Sequence, residues 1–143
     1  MSVKLDYDCL RAVMLYVEKN QVFEIVQDFL GDGETSRLKP LSAKQMEIEN
    51  DLARFYKPDI IFYSCQQALL SELLVGECRS RDMLVVYDIT PKGHEFLAAL
   101  KNPTVWDQVK SSANKLGNVS LPILIKLGAD IMMRLAFPPT PGG

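Results

Sequence analysis

The 143-residue sequence has little of what marks secreted, metal-binding or catalytic proteins. It has one histidine, His94, and three cysteines, Cys9, Cys65 and Cys78, without any Cys-x-x-Cys spacing. The odd count argues against a disulfide framework and a zinc ribbon, and it fits a reducing compartment. His94 alone cannot hold zinc, and no Gly-rich phosphate loop or nucleophile–base pair is visible. We therefore expect a non-enzymatic, cytoplasmic protein with no metal site.

The sequence also shows no export signal, no membrane-spanning stretch and no excess of basic residues. The opening residues, MSVKLDYDCL, contain no apolar core for export. No charge-free stretch approaches the roughly 20 residues of a membrane helix. The net charge is −2, with 10 basic and 15 acidic side chains in residues 1–90 but 6 and 3 in residues 91–143. A phosphate-binding face would therefore be local or would lie in the C-terminal third.

Helical periodicity is the strongest signal that is present. Apolar spacing predicts helices at about 5–19, 43–55, 59–74, 91–101, 104–116 and 121–137. Ser42 and Gln45 have capping-box spacing, and Thr90-Pro91 and Asn102-Pro103 are further start signals. Residues 75–78 and 83–89 predict two strands of a hairpin. Residues 22–30 fit either a helix or a short strand, and the composition of residues 31–40 predicts a loop.

This order of elements predicts a winged helix-turn-helix, in which a helical pair is followed by a β-hairpin wing. The fold class is mainly α with a small two-stranded β-hairpin. We expect a winged-helix core over residues 1–101 and a C-terminal helical extension over residues 102–137, packed on the core or on a second subunit. The last residues, 138–143, should be a disordered tail.

Three stretches carry a family resemblance. They are Lys4-Leu5-Asp6-Tyr7-Asp8 with Arg11, then Ile89-Thr90-Pro91-Lys92-Gly93-His94-Glu95-Phe96-Leu97, and then Val105-Trp106 with Lys115-Leu116-Gly117 and Val119-Ser120. In these stretches the chain resembles a family of small bacterial and prophage proteins known as a domain of unknown function. The resemblance implies a winged-helix-like fold and a phage or prophage setting, and it carries no known activity.

If duplex DNA is bound, the predicted helix at 59–74 should enter the major groove. Its candidate contacts are Tyr63, Ser64, Gln66 and Gln67, and glutamine can pair bidentately with adenine. Arg79 and Arg81 at the hairpin tip could hold phosphates. The alternative is an ordinary solvated polar face, since the helix has no basic residue after Lys57.

The last predicted helix is apolar almost all round, apart from Lys126, Asp130 and Arg134. Such a helix must be covered on more than one side, either by a second copy of the chain or within one core. The candidate interface residues for a homodimer are Leu127, Ile131, Met132, Met133 and Leu135. Trp106 fits a core position better than an interface.

Two functions follow from these observations. The first hypothesis is a dimeric DNA-binding regulator of transcription in a phage or prophage setting. The second is a winged helix used as a protein-interaction module, such as a phage accessory protein that binds or inhibits a host factor. The acidic first 90 residues favour the second hypothesis.

Overall fold

The computed structural model describes residues 5–20, 23–28, 35–39, 55–80 and 83–137. Its helices are α1 (Tyr7–Asn20), α2 (Pro58–Leu70), α3 (Pro91–Lys101), α4 (Pro103–Lys115) and α5 (Leu121–Ala136), and its strands are β1 (Phe23–Asp28), β2 (Thr35–Lys39), β3 (Leu74–Ser80) and β4 (Met83–Ile89). The predicted helix at 43–55, apart from Phe55, and the predicted disordered tail lie outside the described residues.

The predicted fold class is confirmed, because the chain is mainly α and β3 and β4 form an antiparallel hairpin. Two more strands extend this hairpin into an antiparallel sheet of order β2-β1-β4-β3. Within the stretch 22–30, which fits either a helix or a strand, Phe23–Asp28 forms β1. The loop prediction for residues 31–40 is wrong over Thr35–Lys39, where Leu38 pairs with Ile25 of β1. Cross-strand pairing decides this segment, and its local composition does not reveal that pairing.

Side-chain caps begin three of the helices, and two of these, at Thr90 and Asn102, lie where the sequence predicts a helix start. The Asp6 carboxylate accepts the Cys9 amide at 2.9 Å and caps α1. The Thr90 hydroxyl accepts the Gly93 amide at 2.9 Å at the start of α3. The Asn102 side chain accepts the amides of Thr104 and Val105 at 3.0 and 3.2 Å and caps α4. Each cap satisfies backbone donors that have no partner inside the helix.

Helix α2 ends earlier than its apolar pattern indicates. Glu72 has a φ of 62°, the only positive φ of a non-glycine among the described residues. The Leu73 amide donates a hydrogen bond to the Ala68 carbonyl at 2.9 Å, and the Glu72 amide donates one to the Leu69 carbonyl at 3.1 Å. These bonds form a Schellman motif, which usually has glycine at the left-handed position. The sequence signal was therefore absent, and the predicted end at 74 is wrong by about one helical turn.

A single hydrophobic cluster joins all five helices and the sheet. Helix α1 contributes Leu10, Val13, Met14 and Val17, all with 0% exposure. The cluster includes side chains on both sides of the predicted boundary after residue 101, such as Leu100 and Val105. Trp106 is 5% exposed, which confirms its predicted core position. None of the helices among the described residues has the length and hydropathy needed to cross a membrane.

Candidate functional site

Helix α2 carries the residues that sequence reasoning selected for DNA contact. Tyr63, Gln66 and Gln67 are half-buried. Ser64 has 0% exposure, so its predicted outward position is wrong. Helical spacing turns Ser64 toward the same side as Cys65 and Ala68, which are also fully buried. Arg79 lies within β3, and Arg81 lies outside the described residues.

Helix α2 is covered on more than one flank. It contacts α1 and all four strands of the sheet. From Asp59 to Leu69 no side chain is exposed, and Leu70 at its end is 67% exposed. A helix that reads bases must enter a groove about 12 Å wide with its polar face free. The geometry of α2 therefore offers a narrow polar strip of Tyr63, Gln66 and Gln67.

Helix α5 presents a different surface from the one predicted. Ile131 is 4% exposed and belongs to the chain's own core, so it is not available to a second copy. Leu127 and Met132 are half-buried, whereas Met133 and Leu135 are 59% and 49% exposed. The buried side of α5 is a narrow stripe formed by Leu121, Leu124, Gly128 and Ile131.

The opposite side of α5 forms what we call the outer stripe. It consists of exposed side chains spaced three and four residues apart: Ile123, Lys126, Asp130, Met133 and Phe137. The exposed fractions of the three apolar members are 46% for Ile123, 59% for Met133 and 72% for Phe137. Pro122 and Ala129 beside them are exposed too. Sequence reasoning selected Met133 but missed Ile123 and Phe137, because an apolar helix gives no sign of which side the core covers.

A groove of about 310 Å³ runs between α4 and α5. It is lined by Asp107, Gln108, Ser111, Ser112, Lys115, Ile131 and Arg134. The groove is shallow, and its charged side chains are exposed and of both signs. Nothing in this lining favours one class of ligand.

The cysteines of α1 and α2 are core residues. Cys9 and Cys65 are both fully buried free thiols. Burial raises the pKa of the Cys9 thiol to about 11, an effect that the neighbouring Ser64 hydroxyl opposes. Burial also raises the pKa of Cys65 well above its ordinary value. Both sulfurs are therefore protonated near neutral pH and are poor nucleophiles and poor metal ligands.

The N-terminus of α1 holds the C-terminal helices in place. Asp8 Oδ1 accepts two hydrogen bonds, one from Lys110 Nζ at 3.0 Å and one from Trp106 Nε1 at 3.4 Å. The Tyr7 hydroxyl accepts a hydrogen bond from the Val119 amide at 2.9 Å and donates one to Asn118 Oδ1 at 3.1 Å. These contacts join residues about a hundred positions apart, so they fix where α4 ends and α5 begins. Their role is positional, and they leave no group aimed at a ligand.

His94 is exposed on α3, and its backbone amide donates to the Thr90 carbonyl at 2.9 Å. In the part of the chain that the structure describes, no three His, Cys, Asp or Glu side chains come together in a way that could hold a metal ion. The described residues thus offer three candidate surfaces, which are the half-covered strip on α2, the groove between α4 and α5, and the outer stripe.

One comparison identifies the chain. The model of a family described as Hypothetical protein (DUF2513) matches residues 4–120, which include α1 through α4 and the turn before α5. The chain belongs to the DUF2513 family. No curated protein and no solved structure matches this DUF2513 chain. The family match confirms the predicted domain of unknown function. It ends at residue 120, so the outer stripe lies beyond the residues matched.

Proposed function

We propose that this DUF2513 protein is a non-enzymatic protein-interaction domain that binds its partner through the outer stripe. The observation that carries the proposal is the exposure of Ile123, Met133 and Phe137 along one side of α5. Single exposed apolar residues are ordinary, but here three of them lie on one side of the helix, with Lys126 and Asp130 between Ile123 and Met133. Besides its buried stripe, α5 thus carries a second row of apolar side chains that its own core leaves uncovered.

The winged-helix-like architecture is part of the same proposal. The order α2, hairpin β3–β4 and α3 supports it, as does the contact between α1 and α2. The family resemblance supports a phage or prophage setting. Burial and protonation argue against Cys9 and Cys65 as catalytic nucleophiles, since a protonated cysteine is a poor nucleophile.

Site-specific photo-cross-linking tests the proposal. A photoreactive side chain at position 133 should give a cross-linked protein of defined mass in the host cell. The same group at position 70, on the exposed end of α2, should give none. Lys126→Asp, which changes the centre of the outer stripe, should abolish the cross-link from position 133. Equal labelling at positions 70 and 133 would contradict a specific surface on α5.

DNA binding is a second candidate, favoured by the half-exposed Tyr63, Gln66 and Gln67 on the helix before the hairpin. Titrating mixed-sequence duplex at two salt concentrations tests it. A protein that neutralises several phosphates loses affinity steeply as salt rises. Gln67→Ala should then weaken sequence preference and leave the salt dependence unchanged, because glutamine carries no charge. Absence of binding at low salt would reject this candidate.

A further inference from the structure

The outer stripe has the spacing of a helix-pairing seam. Its members lie at positions 123, 126, 130, 133 and 137, which is the alternating three-and-four spacing of coiled-coil a and d positions. Four of them lie within α5, which at 16 residues is about 24 Å long. Apolar residues stand near the ends of the stripe, and Lys126 and Asp130 stand between them. A partner that fits must therefore supply apolar side chains at the ends and charges of both signs between.

A second copy of the same helix meets this requirement in one orientation. Two α5 helices can run antiparallel about a two-fold axis that crosses the outer stripe at the level of position 128. In this register, position 126 lies opposite the partner's position 130. The same register places position 123 opposite position 133, so apolar side chains meet on both sides. In a parallel pair each lysine would face a lysine and each aspartate an aspartate. Like charges directly opposite each other destabilise a pair, so the antiparallel arrangement is favoured.

The charges of the stripe are available for this pairing. The ion pairs between described residues join Glu18 to Lys101 and Asp8 to Lys110, and neither Lys126 nor Asp130 forms an ion pair with another described residue. Gly128 lies on the buried side of α5, against Ala99 and Phe96 of α3. The core therefore fixes the rotation of α5 and keeps the outer stripe turned away from its own domain.

We infer that the partner of the outer stripe is a second copy of this chain, held by reciprocal contacts of Lys126 with the partner's Asp130 and of Ile123 with the partner's Met133. The inference rests on the proposed function and names its partner. Only two apolar layers and two charged layers meet, so the contact is small. The dimer should therefore be reversible and dependent on concentration.

Charge exchange tests this inference directly. Sedimentation velocity of the full chain over a range of concentrations should show a monomer–dimer equilibrium. Lys126→Asp and Asp130→Lys should each weaken dimerisation at least about tenfold, because each places like charges in both inner layers. The double variant should recover most of the lost affinity. Lys92→Asp, an exposed change on α3, gives the same change in net charge as Lys126→Asp and should leave dimerisation unchanged.

The outcomes separate this inference from the proposed function. A double variant as weak as the single ones would overturn the inference, as would a native chain that stays monomeric. If the monomeric chain still cross-links from position 133 to a different protein, the interaction domain survives and the second copy is rejected. If position 133 cross-links to residues 138–143 of its own chain, both are rejected. Circular dichroism of each variant confirms that the exposed substitutions leave the fold intact.

Discussion

At the scale of single residues, Ser64 is the clearest departure from the sequence-based prediction. Its polar side chain suggested DNA contact, yet its hydroxyl is buried beside the Cys9 thiol, which is a weak hydrogen-bond partner, and it makes no well-formed hydrogen bond among the described residues. A buried hydroxyl that loses water without gaining a partner costs about 1–3 kcal/mol. We therefore expect Ser64 to lower the stability of the contact between α1 and α2.

Ser64→Ala should raise the free energy of unfolding by about 1 kcal/mol, because it removes an unsatisfied hydroxyl. Ser111→Ala is the matched control, since Ser111 is exposed on α4 and gives the same gain in helix propensity. Urea unfolding of both variants measures the difference. Equal stabilisation by the two substitutions would show that the Ser64 hydroxyl is satisfied in solution.

At the scale of elements, the junction of α2, β3 and α3 depends on a close backbone approach. The Thr90 hydroxyl donates a hydrogen bond to the Glu72 carbonyl at 2.6 Å, and the Thr90 amide donates one to the Leu73 carbonyl at 3.0 Å. A Cβ atom at Gly93 would lie 2.1 Å from the Leu73 carbonyl oxygen. A Cβ at Gly128 would lie 3.4 Å from Ala99 Cβ, which is ordinary contact.

These two glycines should respond oppositely to alanine. Gly93→Ala should lower the free energy of unfolding by about 1–3 kcal/mol or more, because the backbone of Leu73 has to move. Gly128→Ala should raise it by about 0.5–1 kcal/mol, because alanine favours the helix and its methyl group fits. Urea midpoints with unchanged slopes measure both effects. A Gly93→Ala chain as stable as the native one would refute the close approach.

The contact between α1 and α2 should also make stability depend on pH. Burial raises the pKa of Cys9 to about 11, from an ordinary value near 9. Above pH 9 the unfolded chain releases this proton and the folded chain retains it, so stability falls as pH rises toward 11. Between pH 8 and 10 the native chain should lose about 1 kcal/mol more than Cys9→Ala. Parallel losses in the two chains would contradict a buried, protonated Cys9.

The sequence predicts elements well wherever the signal is local. Asn102 and Thr90 cap helices as their positions indicate, and the hairpin lies where alternation places it. Segments fixed by distant partners are missed. Thr35–Lys39 becomes a strand through pairing with β1, and α2 ends at a glutamate in a conformation typical of glycine. The sheet that covers α2 could not be anticipated, so neither could its limited exposure.

At the scale of the whole molecule, the fold decides which side of α5 is buried and which side is exposed. The sequence shows that α5 has more apolar surface than one contact needs, but only the fold shows which side is free. Ile131 fills the core while Met133 stays exposed, although the two residues are close neighbours in sequence. The predicted homodimer thus stays a prediction, and its proposed interface moves around α5 to the outer stripe.

The antiparallel register of that interface predicts a specific cross-link. In a chain carrying Cys78→Ala, with Cys9 and Cys65 buried in the core, we would introduce Ile123→Cys in one preparation and Met133→Cys in another. Position 123 lies opposite position 133 in the antiparallel pair, so a mixture should oxidise to a disulfide-linked dimer faster than either preparation alone. A mass tag on one variant identifies the mixed dimer on a non-reducing gel. Leu70→Cys serves as the control for random collision, since Leu70 on α2 is 67% exposed, more than either test position. If Ile123→Cys alone cross-linked as fast as the mixture, the helices would run parallel and the charge pairing would be wrong.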